Sequence, residues 1–233
     1  MTDSTTSAPP RAGFDWFALL AVGAMIAAFA RAIWFTPPDR LQGFAQKIFY
    51  VHLPSAWVAF LAFGLTAFAG AFWLFTKDPR LDRFAESSAE VGVIFTTGVL
   101  VSGPLWGKPI WGAWWVWDAR LTLTLFLWFL YVGYLVLRGA VDDRTARARY
   151  SAVVGILGAL LIPFIHLSVY LFRTQHPMPI VANPTGIQMP GVMIKTLFLA
   201  LGAFTLLYIA LVRARMKLAV ERDALHDHAT AEG

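Results

Sequence analysis

Five tryptophans, Trp106, Trp111, Trp114, Trp115 and Trp117, fall within 12 residues. Indole rings are large and flat, so a cluster this dense suits stacking on a planar apolar ligand. Gly107 and Gly112 lie among them and leave room where the backbone turns or a ligand approaches. The competing reading is an aromatic belt at a membrane–water interface. It suffices for Trp16, Trp34 and Trp73 near the ends of apolar runs, but a belt distributes its Trp over many such ends. His52, in KIFYVHLPSAW, and His176, in LFRTQHPMP, flank the cluster. Either one alone reads as a hydrogen-bonded structural residue. Two on one face beside an indole shelf fit the two axial positions of a porphyrin iron, for which imidazole is a common ligand. His166, in LIPFIHLSVYLF, competes for either position or faces the interior of a bundle, while His226 and His228 fall in a polar tail and are expected to be solvated.

Lys108, Arg120, Arg173 and Lys47 bring positive charge to the same region. They can pair with carboxylates of a ligand or snorkel towards lipid headgroups, and the sequence leaves both open. Asp118 closes the Trp run just before an apolar stretch. Its expected role is the N-cap of the next helix, accepting backbone N–H bonds near Leu121, with ligand contact as the alternative. A flat apolar disc, an iron that takes imidazole and two anionic propionates together match haem. The expected binding set is therefore His52, His176, Trp106, Trp111, Trp114, Trp115, Trp117, Asp118, Arg120, Lys108 and Arg173, with His52 and His176 on the metal.

Several chemistries are absent from the sequence. There is no Cys, hence no disulfide frame or thiolate chemistry. No GxxxxGK[ST], HExxH or GxSxG occurs, so the chain is not read as an ATPase or hydrolase. It is read as a binding and transfer protein and not as an enzyme.

The elements that must position these residues are membrane spans. Of 233 residues, 58% are hydrophobic and only 14% charged. Soluble domains carry about 25% charged residues. Six stretches can cross a hydrocarbon core, which takes about 20 helical residues: 14–35, 50–75, 88–106, 121–138, 150–172 and 192–212. Backbone groups must be satisfied within lipid, and the alternation of a membrane barrel is missing, so the fold class is an all-α membrane protein of six transmembrane helices with a periplasmic Trp-rich loop. Pro163, three residues before His166, is expected to loosen the fifth helix.

Twelve of the 19 Lys and Arg fall on one side of this arrangement, which places both termini in the cytoplasm. The segments 36–52, 107–120 and 173–191 then meet outside. The net charge of +5 reflects the cytoplasmic loops and not nucleic-acid binding. Ala28-Phe29-Ala30 is similar to a signal cleavage site, but its apolar run exceeds a signal core and it is read as a retained span. Residues 1–13 are expected to be a flexible segment, 14–217 the six-helix domain, and 218–233 a cytoplasmic tail that ends as a short solvated helix.

At WGKPIWGAWWVWDARLT the sequence resembles the "WWD" signature of haem-handling membrane proteins. Within that superfamily it is similar to the C component of the bacterial cytochrome c maturation system, CcmC. The likeness extends through IFYVHLPSAW, the VDDR loop at 141–144 and IPFIHLSVYLFRTQHP. The segment PMPIVANPTGIQMP departs from the family pattern. The family's two external histidines map onto His52 and His176, and its signature onto Trp111, Gly112, Trp114, Trp115, Val116, Trp117 and Asp118. The resemblance implies a protein that holds haem non-covalently (b-type) and transiently at the outer face of the bacterial inner membrane and passes it to a periplasmic haem chaperone, the E component. The implied partners are an ATP-binding A component, a membrane B component, a small single-span D component and membrane lipid. Two other functions fit the composition: a b-type haem anchor for electron transfer, which needs His pairs on facing spans, and a permease subunit for another substrate.

Overall fold

The computed structural model describes residues 14–172, 174–178, 186–187 and 189–231. The expected flexible segment 1–13, Arg173 and residues 179–185 lie outside them. Among the described residues the elements are helical: α1 (Trp16–Ala30), α2 (Phe49–Thr76), α3 (Pro79–Trp111), α4 (Ala119–Ala140), α5 (Arg144–Ala159), α6 (Leu161–Leu171) and α7 (Gly191–Ala231). A π-helical turn, Arg31–Phe35, extends α1, and a 3-10 turn, Phe44–Ile48, leads into α2. Six helical segments, with α5 and α6 counted as one, are long and apolar enough to cross a membrane.

The helix ends follow local chemistry. Asp78 caps α3 with Pro79 behind it, Asp143 caps α5, and Gly112 ends α3 in the left-handed conformation at φ 76°. Leu160 separates α5 from α6. Pro163 lies in the first turn of α6, where its missing N–H is tolerated, so the loosened fifth span is a two-part span. Two elements outrun the sequence reading. α3 begins well before residue 88 and continues past Pro104 and Pro109 to Trp111, so Lys108 and Trp111 ride on the same helix as Trp106 and not on a loop. α7 runs 41 residues, so the tail after Lys217 continues it as a mostly exposed helix, and Arg222 and Asp223 on it pair with Glu86 and Arg83 of α3.

α2 lies at the centre. It meets α3 and α7 through Val58, Ala59, Ala62, Val91, Phe95, Phe204, Tyr208 and Val212. Its first turn packs with α1 and α7 through Phe49, Tyr50, Ala28, Ala32, Leu197, Ala200 and Ala203. Phe63 of α2 joins Ala89, Leu127, Tyr131, Tyr134 and Ile165 in the third cluster. Alanine and glycine recur at these seams because apolar lipid offers no hydrophobic drive between helices, and close backbone approach supplies the dispersion energy instead. Phe63 stacks on Tyr131 at 3.7 Å, and the Tyr131 hydroxyl donates to the Gly155 carbonyl at 2.8 Å, which ties α2, α4 and α5 together.

Candidate functional site

At the end of the bundle where α2 begins and α3 finishes, a cavity of about 390 Å³ opens between α2, α3, α4, α6 and the start of α7. Ligand sites are typically about 300–1,000 Å³ and mainly apolar. The floor is apolar or weakly polar, from Ala59, Phe60, Thr96, Leu100 and Ile165, and the wall carries His52, His176, Trp106, Trp111, Trp115 and Arg120.

His52 occupies the first turn of α2. Its Nδ1 lies 2.9 Å from the Ser102 hydroxyl of α3. Its ring meets Trp106 edge-on at 5.8 Å, and the Trp106 indole N–H donates to Gln42 Oε1 at 3.0 Å. His176 follows α6, half-buried, with Nδ1 3.0 Å from the Pro177 carbonyl oxygen. The two imidazole rings stand 6.4 Å apart, centre to centre, at an interplanar angle of 34°. With each Nδ1 engaged, each ring keeps Nε2 for another partner. Removal from water, reinforced by the positive charge of Arg120, pushes the His176 imidazole down to about 4, so it is neutral near pH 7. His166 is not among the described residues that line this cavity; its ring lies 6.4 Å from that of Tyr170.

The tryptophans do not form one shelf. Trp106, Trp111 and Trp115 line the cavity, whereas Trp114 and Trp117 are 57% and 76% exposed. Gly107 allows the Trp111 ring to fold back on α3, since a Cβ there would lie 3.1 Å from it. Asp118 accepts from the Leu121 N–H at 2.9 Å and so caps α4, which sets Arg120 in the first turn of that helix. The Lys108 ammonium donates to the Gly112 carbonyl at 2.9 Å, and the Lys47 ammonium donates to the carbonyls of Ala32 and Thr36. Arg120 is thus the cation that lines the cavity among the described residues. Its Nη1, the Trp115 indole N–H and Gln46 Oε1 are buried without a hydrogen-bond partner there. Buried unpaired polar atoms are costly, so a set of them on one cavity is a set of positions offered to a ligand or to water.

Ser102, Gln42 and Gln46 were not identifiable from sequence as members of this site. For Ser102 the available signal was a polar side chain inside an apolar helix, which does not distinguish it from Ser87 or Ser88, and Gln42 and Gln46 fall in a polar connection where such residues are ordinary.

The family profile for Heme exporter protein C matches residues 7–231. A heme exporter protein C of Bradyrhizobium diazoefficiens is 37% identical over 199 residues, covering 85% of this chain and 73% of that one. That of Haemophilus influenzae is 37% identical over 210 residues, covering 88% and 84%. A heme exporter protein C of Paracoccus denitrificans is 30% identical over 206 residues, covering 87% and 86%. Similarity of this extent reaches through every span and the cavity they enclose, and on that ground the chain belongs to the heme exporter protein C family.

Proposed function

We propose that this protein binds haem in the cavity between His52 and His176 and delivers it to a periplasmic haem chaperone during cytochrome c maturation. The carrying observation is the 6.4 Å separation of the two rings across one cavity. Two imidazoles bonded to a single metal at about 2 Å each have ring centres roughly 6 Å apart. Among the described residues there is no cluster of three or more His, Asp or Glu placed to hold a metal ion. Two imidazoles without a third protein ligand suit a metal that brings its own equatorial ligands, as a porphyrin iron does.

Each site residue then has a physical task. His52 and His176 present neutral nitrogens to the iron. Trp106, Trp111 and Trp115 give the macrocycle apolar and aromatic walls. Arg120, with Trp115 Nε1 beside the same cavity, offers donors to a propionate. Trp114, Trp117 and Lys108 are exposed and so open to an approaching partner. Arg173 is retained as a second propionate candidate from its place in the sequence. Binding of moderate strength follows from the design, since a carrier that must hand over its cargo cannot hold it irreversibly.

The Lys and Arg distribution supports an orientation with both termini in the cytoplasm and the cavity on the other side, and the bacterial relatives support an inner-membrane location with that side facing the periplasm. The A, B and D components are the partners this reading assigns, with ATP hydrolysis supplied by the A component. The electron-transfer alternative loses its motivation, because His166 has no facing histidine across the spans among the described ring contacts.

The test is the optical spectrum of the purified protein. A Soret band is expected, with His52→Ala or His176→Ala shifting it towards five-coordinate iron and the double variant losing most bound haem. A double variant with the unaltered wild-type spectrum would falsify the ligand assignment.

A further inference from the structure

Imidazole can carry its single neutral proton on either nitrogen, and only the bare nitrogen can bind a metal. The surroundings of His52 decide which one it is. The Ser102 oxygen lies 2.6 Å from the Gly98 carbonyl oxygen and 3.4 Å from that of Val99. Carbonyl oxygens only accept, so the one hydroxyl proton of Ser102 is committed along its own helix. Towards His52 the same oxygen turns lone pairs, at 2.9 Å from Nδ1. Nδ1 must therefore be the protonated nitrogen, and Nε2 is left bare. Ser102 is 7% exposed, so water does not compete readily for this bond. Gly103, the next residue, lines the cavity, and a Cβ added there would sit 3.4 Å from His52 Cε1. The ring is thus held at one edge by Ser102 and left uncrowded beside Gly103.

We propose that Ser102 is a positioning residue for haem binding: its hydroxyl, anchored on the Gly98 carbonyl, fixes His52 as the Nδ1–H tautomer and reserves Nε2 for the iron. This rests on the haem reading of the cavity. It deepens that reading by assigning the orientation and basicity of one ligand to a residue that does not touch the cargo. Metal-bound histidines generally donate their second N–H to such a partner, and removing it weakens metal binding about 10- to 100-fold.

Two measurements on the full-length protein in detergent test it. In the haem-free state, labelled with 15N-histidine and assigned through loss of the signal in His52→Gln, His52 is expected to show a protonated Nδ1 and a bare Nε2. Ser102→Ala should populate both tautomers, and Ser102→Thr, which keeps a hydroxyl able to bond the preceding turn, should restore one. In the loaded state, Ser102→Ala is expected to lose haem to an excess of a haem scavenger about 10-fold faster and to show a high-spin electron paramagnetic resonance signal that Ser102→Thr lacks. A wild-type His52 protonated on Nε2 overturns the proposal regardless of haem. Loaded Ser102→Ala with wild-type spin state and haem loss overturns its link to the iron. A wild-type protein that takes up no haem overturns the cavity reading itself, and is recognised separately because the tautomer is read without cargo.

Discussion

His176 shows how much a single side chain depends on its surroundings. On sequence it is a histidine beside a proline in a polar connection, where an imidazole titrates near 6.5. In the fold it is half-buried near Arg120, and both the loss of water and the nearby positive charge disfavour the imidazolium. Its midpoint falls to about 4. The sign follows from linkage. Between 6.5 and 4 an unfolded chain binds this proton and the folded one does not, so acidification through that window draws stability from the fold. The same shift keeps a lone pair on His176 available for a metal at any pH above the window's lower edge. The expected outcome in the haem-free protein is a neutral His176 at pH 5.5 and a midpoint near 4 in a 15N-histidine titration. A midpoint at the ordinary value would mean that the ring faces water and is not poised for ligation.

At the scale of elements, the α2–α3 contact sets the site. Gly92 of α3 lies against α2 so closely that an added Cβ would come within 2.5 Å of the Phe63 ring and 3.1 Å of Ala62 Cβ. Phe63 is fully buried and stacked on Tyr131, so it has little room to yield. Gly92→Ala is therefore expected to destabilise the bundle by about 1–3 kcal/mol through overpacking. Thermal unfolding in detergent reads that loss, and an unchanged midpoint would show that the α2–α3 seam can part without cost. The spans themselves were legible in the sequence, because hydropathy over some 20 residues is dictated by lipid and not by neighbours. Asp118 as a cap and the break near Pro163 were legible for the same local reason. The single indole shelf was not. Pro104 and Pro109 do not stop α3, since proline is tolerated within membrane helices, and Gly112 ends it only after Trp111. Trp106 and Trp111 are thus fixed by helical geometry and Trp114, Trp115 and Trp117 by an irregular turn, which sends their rings in different directions. Ser102 on His52, or Lys47 on the last carbonyls of the α1 extension, depends on which helices become neighbours, and no local pattern encodes that.

The whole molecule has two polar ends separated by its apolar length. From Asp82 to Ser102, α3 rises about 30 Å, the thickness of a hydrocarbon core. At the end away from the cavity, Arg138 of α4 is 5% exposed and donates to both carboxylate oxygens of Asp82, at 2.6 and 2.9 Å, and to Glu86 at 3.1 Å. Glu86 also accepts two bonds of 2.8 Å from Arg222 of α7. Arg215 with Glu90, Arg83 with Asp223 and Arg144 with Asp227 extend the network to α5. Such a cluster is weak evidence for stability compared with an apolar core, but breaking it on one side leaves charge buried without a partner. Glu86 serves two guanidiniums, so its removal costs more than that of any rim pair. Glu86→Ala is expected to lose about 3 kcal/mol, the low end for a broken buried pair because Arg138 retains Asp82 and Arg222 can turn to water. The distance to His52 makes a second outcome specific. The haem spectrum of the folded variant at low temperature should match the wild type, with the loss confined to the melting midpoint. A variant that melts normally but shows altered iron ligation would mean that the two ends are mechanically coupled across the bilayer, and that α3 transmits strain from the ion network to the cavity instead of insulating one from the other.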